Sequence, residues 1–128
     1  MASHSYKDLK VWQQAMKLVV EVYKITKHLP PEERFAIADQ LRRSSVSIPS
    51  NIAEGQRRFG DAETINFCSI ALGSTAELET QLLLVQKLYD IDTSAQLDSC
   101  DAVGKMLSGL IRALKNKKSP QSIVSSRA

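Results

Sequence analysis

The stretch from Phe35 to Gly60, FAIADQLRRSSVSIPSNIAEGQRRFG, constrains the fold more than any other. Ile37, Leu41, Ser44, Ile48, Ile52, Gly55 and Phe59 recur in it at three- and four-residue steps, so one face of a helix alternates large aliphatic side chains with small ones. Such a face must pack closely against other helices. Pro49 lies inside the pattern, where it removes one backbone hydrogen bond and presses on the carbonyl of Ser45, and the apolar phase continues across it from Ile48 to Ile52. One helix kinked at Pro49 is therefore expected rather than two helices.

The neighbouring segments follow the same period. Asp8 is a candidate N-cap for a first helix running to about Leu29, with Leu9, Trp12, Met16, Val19, Val20, Tyr23 and Ile25 or Thr26 as its apolar side and Trp12 as its largest core anchor. His28-Leu29-Pro30-Pro31 stops that helix, and Pro31-Glu32-Glu33 reads as the first turn of the next. Gly60 ends the second helix and Asp61 caps a third, which reaches about Tyr89 along Ile65, Cys68, Leu72, Thr75, Ala76, Leu78, Leu82 and Val85. After the connection from Asp90 to Ser94, a fourth helix covers about Ala95 to Asn116 on Leu97, Cys100, Val103, Leu107, Leu110, Ile111 and Leu114. Four amphipathic helices with short connections predict an all-α, antiparallel up-down four-helix bundle over residues 1–118, with a disordered, serine-rich tail over 119–128.

Composition agrees with one helical domain. In 128 residues, 43 % are hydrophobic but only 5 % aromatic, and five glycines and four prolines are too few to punctuate an all-β chain. No apolar run approaches a membrane span, and the start carries no secretory pattern, so a cytoplasmic protein is expected. Cys68 and Cys100 fall on apolar stripes and read as buried thiols. His4 and His28 are far apart and neither belongs to a recognisable metal-ligand motif, so neither metal nor cofactor is expected.

Charge is segregated. Residues 1–60 carry +4, 61–104 carry −7 and 105–128 carry +6, within a net charge of +3. Opposite signs on successive segments favour antiparallel packing or self-assembly and leave basic surface for a polyanion. Arg42-Arg43 and Arg57-Arg58 stand fifteen residues apart, about four helical turns, and with Lys10 they are the candidate nucleic-acid contacts. No helix-turn-helix, zinc finger or RNP-type motif is present, so base-specific reading is not expected. Ser47, Asn51 and Glu54 share a polar edge beside Ile48 and Ile52, and with Pro49 and Gly55 they are candidates for an architectural or assembly role. An enzyme is not expected, because no phosphate loop, dinucleotide fingerprint, metal motif or activated nucleophile can be named.

Ser47-Ile48-Pro49-Ser50-Asn51-Ile52-Ala53-Glu54-Gly55 and Tyr6-Lys7-Asp8-Leu9-Lys10-Val11-Trp12 together resemble a bacterial four-helix-bundle family. That family was first noticed as reading frames inside intervening sequences of 23S ribosomal RNA genes. The resemblance covers nearly the whole chain up to Lys118 and implies a bundle that assembles into a ring, a homopentamer, with a role near RNA or DNA. It is similar in fold to the accessory variability proteins of diversity-generating retroelements. Two functions are left open: an oligomer that binds nucleic acid without sequence specificity, and a homo-oligomeric adaptor for another protein.

Overall fold

The computed structural model describes residues 5–57 and 60–117, which form α1 (Lys10–Thr26), α2 (Ile37–Arg57), α3 (Asp61–Tyr89) and α4 (Ser94–Asn116). Among these residues there is no strand. Each helix packs on its two neighbours in cyclic order, α1 on α2, α2 on α3, α3 on α4 and α4 on α1, with the α2–α3 contact the most extensive. Cross-links from Ser44 to Gln81, Ser47 to Ser74 and Gly55 to Thr64 run upward in α2 as they run downward in α3, so the two helices are antiparallel. The result is a four-helix bundle. Arg58, Phe59 and the tail expected after Lys118 lie outside the described residues.

The ends of the helices differ from expectation for local reasons. Asp8 does not cap α1; it closes a 3-10 turn, Tyr6–Asp8, whose own cap is Ser5, with the Ser5 hydroxyl accepting from the Lys7 amide at 3.1 Å. Leu9 then occupies the cap position. α1 ends at Thr26, three residues before Leu29. Pro31-Glu32-Glu33 does begin a helical turn, but a 3-10 one that is separate from α2, and α2 starts only at Ile37. From there it runs unbroken through Pro49. Gly60, not Asp61, holds the cap position of α3; its φ of 93° is open to glycine at little cost. Asp61 lies just inside, in the first turn, and its carboxylate is 3.5 Å from the Lys117 ammonium, which ties the start of α3 to the end of α4.

Between α3 and α4, Asp92 and Thr93 hold the connection in different ways. Asp92 Oδ1 accepts from the Ser94 amide at 3.0 Å and the Ser94 hydroxyl at 2.7 Å, and these bonds hold its carboxyl below the ordinary range. Thr93 is fully buried and donates its hydroxyl to the Leu82 carbonyl at 3.1 Å, so it pins the connection to the flank of α3.

Leu18, Leu41, Ile48, Ile52, Leu78, Leu82 and Leu107 are fully buried and fill the core. Full burial of each such side chain stabilises by about 1.5–3 kcal/mol. Among the described residues the assignment of faces holds for α2 and α4 and for α3 except Ala76, which is exposed, and needs correction for α1. Val11, Ala15, Leu18, Val22 and Ile25 face inward, whereas Met16, Val20 and Tyr23, expected inside, are 42 %, 54 % and 41 % exposed. Trp12 is only half-buried and packs on the margin of the core. Both stripes have helical spacing, and period alone does not say which of two stripes is inside.

Gly55 sets the α2–α3 distance near the end of α2, where α3 begins. A Cβ there would lie 2.9 Å from the Phe67 Cβ and 3.3 Å from the Thr64 carbonyl oxygen, both too near the backbone to move aside. Gly55→Ala is expected to cost about 1–3 kcal/mol through forced separation of the helices. Urea unfolding would measure it, and an unchanged midpoint would contradict the close approach.

Candidate functional site: the two flanks of α2

The α3 flank of α2 is polar and internally bonded. The Ser44 hydroxyl donates to Gln81 Oε1 at 2.7 Å, and Gln81 Nε2 donates to Gln40 Oε1 at 3.4 Å. One turn on, the Ser47 and Ser74 hydroxyls lie 2.8 Å apart, and Asn51 Nδ2 donates to the Ser47 hydroxyl at 3.0 Å and its carbonyl at 2.8 Å. Ser45 and Ser50 return their hydroxyls to the Arg42 and Val46 carbonyls of their own helix. These groups satisfy one another in a partly dry interface, where each bond contributes roughly 0.5–1.5 kcal/mol and an unpaired group costs more. Glu54, the third member of the expected polar edge, is exposed.

The α1 flank is apolar. Tyr6, Trp12, Met16, Val19, Val46 and Pro49 line an open groove of about 350 Å³, with Pro49 buried at its floor. The Tyr6 and Trp12 rings meet edge to face, 5.4 Å between centroids. The outer stripe of α1 continues the groove: Leu9 at its cap, then half-buried Trp12, Val19 and Thr26 and exposed Met16 and Tyr23 alternate steps of three and four, the spacing of a coiled-coil seam. α1 thus carries two apolar seams, one turned to the core and one turned out.

The basic candidates do not form one patch. Arg42 is half-buried and donates from Nη2 to the Arg34 carbonyl at 2.9 Å, while Arg43 pairs with Asp39 at 3.0 Å on its own helix. Arg57 sits at the other end of α2, its guanidinium 5.9 Å from the Tyr6 ring centroid. Fifteen residues of helix separate the two positions by about 22 Å. Lys10 is exposed, and it leads a row that the arginine pairs obscured: Lys10, Lys17 and Lys24 recur every seventh residue along α1, all exposed, with Lys24 also 3.1 Å from Glu21. The signal was present in the sequence as a seven-residue lysine period. This row lies roughly 120° around α1 from the outward seam.

The groove between α3 and α4, about 480 Å³, is lined by charged Glu79, Asp101, Lys105 and Arg112, with Cys100 among its walls. Asp101 and Lys105 pair at 3.2 Å. Both cysteines are free and buried, as expected. Burial, and secondarily the Glu79 carboxylate, push the Cys100 thiol up to about 12, and burial raises Cys68. A protonated thiol is a poor nucleophile. Among the described residues, no group of three or more His, Cys, Asp or Glu is placed to hold a metal ion, and no helix is long and apolar enough to cross a membrane.

Native Cys100 is expected to alkylate at pH 8 roughly a thousandfold more slowly than in the unfolded chain, from the difference in thiolate fraction alone. Peptide mapping after alkylation would measure it, and reaction at the unfolded rate would contradict the burial. The same shift removes stability as pH climbs from the ordinary thiol value of 9.0 toward about 12, because the unfolded chain releases this proton first. A second test concerns the α2–α3 bonds: Ser47→Ala and Ser74→Ala are expected to be non-additive by about 0.5–1.5 kcal/mol in a double-mutant cycle, and full additivity would contradict the pairing.

Comparison with solved structures finds a protein with unknown function from the S23 ribosomal protein family of Bacteroides thetaiotaomicron, 27 % identical, with a TM-score of 0.73 over 79 % of this chain and 97 % of that one. No curated protein matches. The family model described as 23S rRNA-intervening sequence protein matches residues 7–109, a span that holds the Ser47–Gly55 motif, all of the other motif but Tyr6, α1 to α3, and most of α4. The chain belongs to the 23S rRNA-intervening sequence protein family.

Proposed function

We propose that the protein is a non-enzymatic, self-assembling bundle that binds RNA or DNA through basic side chains without reading sequence. The observation that carries this reading is the division of α1 into an outward apolar seam and, about a third of a turn away, a row of exposed lysines at positions 10, 17 and 24. An assembly that covers the seam leaves the lysines in solvent. Repetition of the row around a ring, the homopentamer that the family resemblance implies, multiplies weak phosphate contacts into useful affinity. Lysine suits this role as a point charge on a flexible stem, since it follows phosphates without fixing a base. Arg57, Arg43 and Arg42 contribute to the same field from α2, and Arg58 is proposed with them.

An adaptor that binds another protein is the second reading. It is favoured by the local engagement of Arg42 with the Arg34 carbonyl and of Arg43 with Asp39, which lessens what those two offer a polyanion. Salt separates the readings, because counterion release makes phosphate binding fall steeply with ionic strength.

Charge reversal of Lys10, Lys17 and Lys24 to glutamate is expected to weaken binding to mixed duplex DNA and structured RNA. It should also make the log–log salt slope shallower by about 2–3 per bound protomer. Fluorescence anisotropy at several salt concentrations would measure both. Binding that ignores the reversal, or its absence at low salt, would favour the adaptor.

A further inference from the structure

We infer that the phosphate backbone of the nucleic acid docks at one end of the bundle, where α1 begins and α4 ends, with Lys10, Arg112 and Lys115 as its leading contacts. This rests on the nucleic-acid reading above and says which surface serves it. The fold builds that end from distant parts of the chain. The Arg57 guanidinium, 5.9 Å from the Tyr6 ring centroid, sets the end of α2 beside the start of the chain. The Lys117 ammonium, 3.5 Å from the Asp61 carboxylate, sets the end of α4 beside the start of α3.

A plane through the helix midpoints, Leu18, Ser47, Thr75 and Lys105, separates the charges. On the side of this end lie Lys7, Lys10 and Lys17 from the start of the chain, Arg57 from α2, and Arg112, Lys115 and Lys117 from the end of α4, all exposed. Against them stand Asp8, Glu54, Asp61 and Glu63. The other side holds six basic and ten acidic residues, with Asp90, Asp92 and Asp98 gathered around the α3–α4 connection. The described residues therefore carry no net side-chain charge as a whole and a clear polarity along the bundle axis. The chain's remaining basic residues, Arg58, Lys118 and Arg127, follow Arg57 and Lys117 in sequence, and no acidic residue follows Asp101.

The acidic half does not cancel the basic one for a bound phosphate. Half the length of the 21-residue α2 puts the centres of the two halves roughly 15 Å apart, beyond the screening length of about 8 Å at physiological salt. Local pairing favours the same end. Among the described residues Lys10, Arg112 and Lys115 make no ion pair, whereas in the other half Lys24 and Arg43 are held by Glu21 and Asp39. The α3–α4 groove repeats the polarity at short range: Ser108 and Arg112 line it toward the basic end, Glu79 and Asp101 toward the other, and Lys105 between them pairs with Asp101. An assembly that covers the outward seam of α1 joins bundles by their sides and leaves this end in solvent. The acidic end of a second copy is the competing occupant, but a contact of that kind runs on along the bundle axis without closing and makes filaments.

The test reverses charge at either end of the full chain. Arg112→Glu with Lys115→Glu changes the basic end, and Lys27→Glu with Lys87→Glu makes the same change of charge at the other. All four side chains are exposed, and circular dichroism checks that each variant stays folded; glutamine in place of glutamate repeats the comparison if a reversal loses helicity. The probes are fluorescein-labelled duplex DNA and hairpin RNA, read by anisotropy over a salt series. The first pair is expected to weaken binding about tenfold at low salt and to make the log–log salt slope shallower by about 2 per bound protomer, while the second leaves the slope unchanged. Equal loss in both pairs, or no loss in the first, overturns the end-on contact and leaves the nucleic-acid reading standing. If, besides, light-scattering mass grows at low salt without nucleic acid and the first pair stops that growth, the occupant is a second copy's acidic end. An unaltered protein that binds neither probe at low salt overturns the nucleic-acid reading and this contact with it.

Discussion

The close approach of α2 to α3 is the constraint on which the rest depends. Two helices come near each other only where side chains are small, and this chain places Ser44, Ser47 and Gly55 against Gln81, Ser74 and Thr64. Small polar side chains bring a second requirement, because a hydroxyl or amide removed from water must find a partner. Here the partners are one another and the backbone, with the Thr64 hydroxyl donating to the Gly55 carbonyl at 2.9 Å and the Gly60 carbonyl at 3.2 Å. The interface is thus specified twice, by shape and by hydrogen bonding.

Once α3 holds one flank of α2, the opposite flank is left to α1. Pro49 belongs on that flank, where it offers apolar surface and no N–H that needs a partner. α1 meets it at an angle that turns Val11, Leu18 and Val22 to the core and leaves Trp12, Met16 and Tyr23 on the rim. A helix that is apolar on more than one side has surface for more than one neighbour. The bundle supplies the first, and the second is the subject of the proposed assembly. The lysine period on the remaining face of α1 then places positive charge where neither neighbour covers it.

The fold was legible in the sequence because the buried positions of α2, α3 and α4 recur at helical spacing, even though α3 also leaves Ile70, Leu83, Leu84 and Leu88 exposed. In α2 the alternation of Ile48 and Ile52 with Ser44 and Gly55 marked both the buried side and the need for a close partner. α1 was misread because it has two stripes at the same period, and the bulk of Trp12, Met16 and Tyr23 favoured the outer one. Side-chain volume marks what can be buried, and the partner helix decides what is. Helix ends were less legible, since Leu9 and Gly60, not Asp8 and Asp61, take the cap positions of α1 and α3 through backbone geometry that composition does not encode. The site was half visible: the motif around Asn51 stood out, but its hydrogen bonds to Ser47 point to architecture, while the groove needed two distant segments to be brought together.

The central claim is that the outward seam of α1 is covered in the working protein. Trp12 is the one tryptophan of the chain and lines that seam, so its emission reports the cover directly. The decisive measurement is a dilution series that records Trp12 emission, helicity and light-scattering mass together. The account predicts that emission shifts to the red at the concentration where mass falls toward the 14.2 kDa of one chain, with helicity unchanged. Emission and mass that are both constant, at the values of a single chain, would contradict it.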